Sequence, residues 1–166
     1  MTGSAALVVV VAVFSVMPVS MPPQIELDRI VSRVGGRIVT SSDIRQAQRL
    51  KLVDDVTSEP ATLRALETRL LILQELNRAA PVPSPTAPDL DTRRADWIAS
   101  VGGSDQVSGL LQQGAMSEGD LDRWLRDDLR IAAYLRRQFG MLADAERTRA
   151  RGDWLGRLRE RADLAP

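Results

Sequence analysis

At 166 residues the chain suits one domain, with or without a processed N-terminal segment, and its 22 basic and 22 acidic residues leave no global field to attract nucleic acid or an anionic membrane. It has no Cys, which excludes disulfides, thiol nucleophiles, thiolate metal sites and a lipid-modified N-terminal Cys, and no His, which removes the usual acid–base shuttle. Chemistry would have to run on Asp, Glu, Arg, Ser or Tyr134 alone, so the expectation is a protein without enzymatic activity, metal or cofactor.

Residues 5–19, AALVVVVAVFSVMPV, carry no charge. A bilayer-crossing helix needs about 20 apolar residues, whereas a secretory signal has an apolar core of about 7–15 followed by small residues. Pro18 interrupts the run and Ser20 follows it, so residues 1–23 read as a signal peptide and residues 24–166 as one helical domain in the periplasm. The alternative is an uncleaved inner-membrane anchor with the domain facing the periplasm. After processing, no stable membrane span is expected.

Ile30, Val31 and Val34 form a β-branched run, and Arg37-Ile38-Val39 a second. Gly35-Gly36 between them supplies the positive φ that a tight two-residue hairpin turn needs. Thr40 with Asp43 forms a capping-box pattern and opens a helix carrying Ile44, Ala47 and Leu50. Residues 54–59 make a polar connector, after which Pro60 suits a first helical turn. Leu63, Leu66, Leu70 and Leu73 then recur at helical spacing, and Leu71, Ile72 and Leu76 widen that stripe, which predicts a central helix. Pro81, Pro83, Pro85 and Pro88 make residues 81–88 a stiff connector without helix.

Beyond it, Leu90, Trp97, Ile98 and Val101 mark a helix ended by Gly102-Gly103. Ser104 is placed to cap a short helix through Val107, Leu110 and Leu111 that stops at Gly114. Ser117 with Asp120 repeats the capping box and opens the clearest helix, with Leu121, Trp124, Leu125, Ala132, Leu135 and Phe139 at a 3.6-residue period up to Gly140. A last amphipathic segment holds Trp154, Leu155, Leu158 and Ala162.

The acidic pairs Asp54-Asp55 and Asp127-Asp128 read as solvated surface charge, and Asp122 with Arg126 as an intrahelical ion pair. Trp97, Trp124 and Trp154 lie on the apolar stripes of three different helices, where core packing is the ordinary role. Aromatic rings at the margin of a groove also grip extended apolar segments. On that reading the candidate peptide-binding residues are Leu76, Trp97, Trp124, Leu129 and Trp154, with Leu76 and Leu129 off the strict stripe and facing a partner.

Three stretches carry a family resemblance in order: LDRIVSRVGGRIVTSS (residues 27–42), LETRLLILQELNR (66–78) and MSEGDLDRWLRDDLRIAAYLRRQF (116–139). Together they resemble the N-terminal domain of SurA-type periplasmic chaperones. The resemblance implies a mainly α domain with a small N-terminal β-hairpin and a C-terminal helix packing back on it. It also implies ATP-independent binding of unfolded exported polypeptides, notably outer-membrane proteins. Family members carry parvulin-type prolyl isomerase domains before the returning helix; the residues after Phe139 are too few for one, and the His and Cys groups typical of that site are absent. The alternatives are an adaptor of fixed partner on the same scaffold, or a residual isomerase. Oligomeric state and client identity have no signature in the sequence.

Overall fold

The structure is a computed structural model that describes residues 28–79 and 81–164. The expected N-terminal signal segment lies outside the described residues. Chain order is β1 (Ile30–Val34), β2 (Arg37–Thr40), α1 (Ser41–Arg49), α2 (Glu59–Arg78), α3 (Ala87–Ser100), α4 (Ser104–Gln113), α5 (Glu118–Phe139) and α6 (Asp144–Arg161). The protein is therefore mainly α, with one small antiparallel hairpin at the start of the described chain.

Gly35 and Gly36 turn the hairpin with φ of +54° and +84°, the pair of positive values that matches the twist of the flanking strands. Val34 pairs with Arg37, Arg33 with Ile38 and Ser32 with Val39; a register shift between Ile30 and Ser32 then brings Ile30 opposite Thr40. Val34 and Val39 consequently share one face, and both are buried. Ile30 and Ile38 look outward, 46% and 48% exposed. Gly35 has a second requirement besides its φ, because a Cβ there would sit 2.3 Å from the Gln74 side chain on α2.

Helix starts follow local chemistry. Thr40 and Ser117 each accept from the third backbone amide onward, and Asp43 and Asp120 answer the cap amide, giving two reciprocal boxes. Thr86 with Asp89 makes a third, so α3 begins at Ala87 and Pro88 sits in its first turn. The connector expected over residues 81–88 thus ends at Thr86. Gly103, with φ of +107°, is the residue before α4; Ser104 is already helical and its hydroxyl turns to Asp105 instead of capping.

Three apolar clusters organise the body. The largest joins Val39, Ile44, Ala47, Leu50, Leu66, Trp97, Leu111, Leu121 and Leu125, and so ties the hairpin to α1, α2, α3, α4 and the first half of α5. A second brings Val34 and Leu71 against Leu158, and a third places Ile72, Leu76 and Tyr134 together. In both, α6 supplies Trp154 and Leu155. Arg159 of α6 reaches Thr68 and the Arg64 carbonyl on α2, and its guanidinium lies 3.5 Å from Glu67. The C-terminal helix therefore packs back on the domain, and α2, touching hairpin, α1, α5 and α6, is central.

Two expectations about charge are corrected by tertiary contacts. Asp122 pairs across to Arg94 on α3, not along its own helix to Arg126. Asp128 is not solvated: its side chain is 18% exposed and shared by Arg69 and Arg93. Its neighbour Asp127 projects elsewhere and pairs with Arg130. In the second half of α5 the period places Leu135 and Phe139 inward as expected, but it puts Ala132, which is exposed, on the stripe and misses Tyr134, which is buried. The helix runs past the end of the first cluster, and its later turns meet α6 instead.

A candidate peptide-binding cleft beside the hairpin

A cleft of about 240 Å³ opens between β2, α1, α2 and α5. Leu66, Leu70 and Leu73 of α2 contribute its apolar floor, because a helix with so wide an apolar stripe cannot cover all of it with one neighbour. The half-exposed Ile38 of β2 and Trp124 of α5 also line it, Trp124 as its α5 wall. A second cleft of about 340 Å³ adjoins it, sharing Arg37, Gln46, Trp124 and Asp127 and adding Met116. Trp124 is thus common to two adjoining depressions.

The wall is held in place by polar contacts. The Trp124 indole N–H donates to the Leu52 carbonyl at 3.1 Å. The Arg69 guanidinium lies 3.8 Å from the Trp124 ring centroid and donates to the Trp124 carbonyl at 2.9 Å. Its remaining face donates to Asp128, which also accepts from Arg93 at 2.9 Å. Burial pushes the Asp128 carboxyl above its ordinary range even with two arginines beside it, and lowers Arg69 from its usual value. Desolvation outweighs attraction in this pair, which makes it a positioning device for Trp124 more than a source of stability.

Charged groups at the rim differ in how far they are engaged. Asp43 and Asp120 are held by their caps at Thr40 and Ser117, and Asp127 by Arg130. Arg37 is exposed and has no carboxylate partner among the described residues. No group of three His, Cys, Asp or Glu side chains able to hold a metal ion occurs among the described residues.

The five residues singled out from the sequence do not assemble into one groove. Trp124 alone lines the cleft. Trp97 is 2% exposed in the main cluster, its indole N–H donating to the Leu50 carbonyl at 2.8 Å. Leu76 is buried against Ile72 and Tyr134. Trp154 packs with its ring centroid 6.1 Å from Tyr134 and 5.6 Å from Phe139, on the α6 side of the domain. Leu129 is half-buried on α5 and does not line the cleft. Conversely, Ile38, Arg37 and Arg69 line it and were not foreseen. Alternation within Arg37-Ile38-Val39 already places Ile38 opposite the buried Val39, the one local signal that could have found it.

No family model, no curated protein and no solved structure matches this chain. Among the described residues no helix is long and apolar enough to cross a membrane.

Proposed function

We propose that this protein is an exported, periplasmic, ATP-independent binder of unfolded polypeptide segments, outer-membrane chains among them, and that it acts without chemistry. The observation that carries the reading is the apolar cleft walled by Trp124 and lined by the half-exposed Ile38. The ordered resemblance to SurA-type chaperones and the signal-like residues 1–23 support the same assignment. Burying one leucine-sized side chain is worth about 1.5–3 kcal/mol, before the cost of ordering the segment. One or two anchors in such a cleft give weak, reversible association, which suits release without fuel.

The test is suppression of aggregation of several unrelated, urea-unfolded outer-membrane proteins diluted into buffer with the purified chain. Protection of several is the expected result, and Ile38→Glu is expected to weaken it while leaving the far-ultraviolet spectrum unchanged, because that side chain faces solvent. Protection of none refutes the reading; protection of a single client points to an adaptor of fixed partner.

A further inference from the structure

Backbone geometry at the cleft specifies how a segment would be held. In a hairpin closed by a two-residue turn, the flanking pair exchanges both hydrogen bonds and the next pair exchanges none. Val34 and Arg37 flank the turn, so Arg33 and Ile38 form the non-bonded pair, and the Ile38 N–H and C=O point away from β1. The sheet has only these two strands among the described residues, so no third strand meets that edge. Thr40 faces the same way, and its N–H is already taken by the Asp43 carboxylate at 2.8 Å. Ile38 therefore offers the open donor and acceptor on the outer edge of β2.

The cleft lies along that edge. Successive strand residues point to opposite faces, yet Arg37, Ile38 and Val39 all line the cleft, as a cavity that meets the strand from its edge would require. A strand added to β2 would lie about 4.8 Å away, between β2 and the Trp124 wall, with alternate side chains directed to the α2 floor. Arg37, the uncommitted cation at the mouth of both clefts, complements a carboxylate on such a segment.

We infer that the edge of β2 receives an extended segment of alternating apolar and polar residues by strand addition, with a carboxylate of that segment seated on Arg37. The inference rests on the proposed chaperone-like role and adds its binding mode and preferred sequence class. Helical segments are disfavoured, because their backbone groups are already paired within the segment and cannot meet the edge.

The experiment uses a short fluorescent peptide of alternating apolar and polar residues with one glutamate near an end, and two versions of it N-methylated at alternate residues in opposite phase. Binding to the full chain is followed by anisotropy. One methylated phase is expected to bind at least about tenfold more weakly, and the other to stay within about twofold of the parent peptide. Equal loss in both phases, or loss in neither, overturns strand addition while leaving chaperone-like binding intact. Failure of the unmodified peptide to bind, together with no aggregation suppression, overturns both. Arg37→Ala and glutamate→glutamine in the peptide should each weaken binding, and combined should cost no more than either alone. Additive losses would remove Arg37 from the site.

Discussion

Substituting Asp128→Ala isolates the group on which the Trp124 wall depends. The Arg69 and Asp128 side chains are 10% and 18% exposed, so the pair does not belong with surface ion pairs, whose median worth is about 0–1 kcal/mol. Removing one partner of a buried pair costs about 3–5 kcal/mol, because a desolvated charge is left uncompensated. Two features reduce that here: Arg69 keeps the Trp124 carbonyl and ring, and Arg93, 35% exposed, turns to water. The expected loss is about 2–3 kcal/mol. Urea unfolding followed by circular dichroism reads it directly; with a slope of about 1–3 kcal/mol per molar, the midpoint should fall by about 0.7–3 M. The double variant Arg69→Met/Asp128→Leu removes both charges and fills their space, and should return to within about 1 kcal/mol of the parent. An Asp128→Ala midpoint indistinguishable from the parent, or a double variant worse than the single one, would refute the view of the pair as desolvated and position-fixing.

Trp97→Ala should cost about 3–5 kcal/mol by the same measurement, since it empties a site 2% exposed and orphans the Leu50 carbonyl; Trp97→Phe should cost less, and a loss below about 1 kcal/mol for the alanine variant would contradict a sealed core role. Acid should also destabilise the domain through its caps. Hydroxyl and amide donors hold the carboxyls of Asp89 and Asp120 below the ordinary value of 3.8, so their contribution is complete above that pH and disappears as pH falls through the lowered values. Asp128 acts in the opposite sense: burial raises its value, so the folded state takes up this proton before the unfolded one as pH falls towards 3.8, and the protonated carboxyl, unlike the alanine of Asp128→Ala, still accepts from Arg69 and Arg93. Melting temperatures between about pH 5 and pH 2 should therefore fall less steeply in Asp120→Asn than in the parent, and more steeply in Asp128→Asn. Identical slopes in all three chains would contradict these assignments.

Much of the fold was legible because its causes are local. The Gly35-Gly36 turn, the boxes at Thr40 and Ser117, Pro60 in a first turn and the wide stripe of α2 each depend on residues within one or two turns of one another. The Thr86 box was equally local and was hidden by the prolines around it, which read as a connector although Pro88 is tolerated in a first turn. The site was far less legible. Helical period marks a residue as inward-facing without saying whether a neighbour seals it, and Trp97, Trp124 and Trp154 carry the same local signature. One is closed over by α1 and its neighbours, one borders a cleft, and one packs with Tyr134 and Phe139.

The sequence by itself determined the elements, their order and the mainly helical class, since turns, caps and stripes act over a few residues. It also excluded thiol and imidazole chemistry by composition. Tertiary structure decided which apolar surface was left uncovered and which charges were taken out of water. Asp128 lies 59 residues from Arg69 and 35 from Arg93, and the cleft draws its walls from four elements. Burial and the strength of a charge pair depend on what packs across such separations, and no local pattern encodes them. The open edge at Ile38 arises from both: a two-residue turn fixes which way its backbone faces, and the absence of a third strand among the described residues leaves it open.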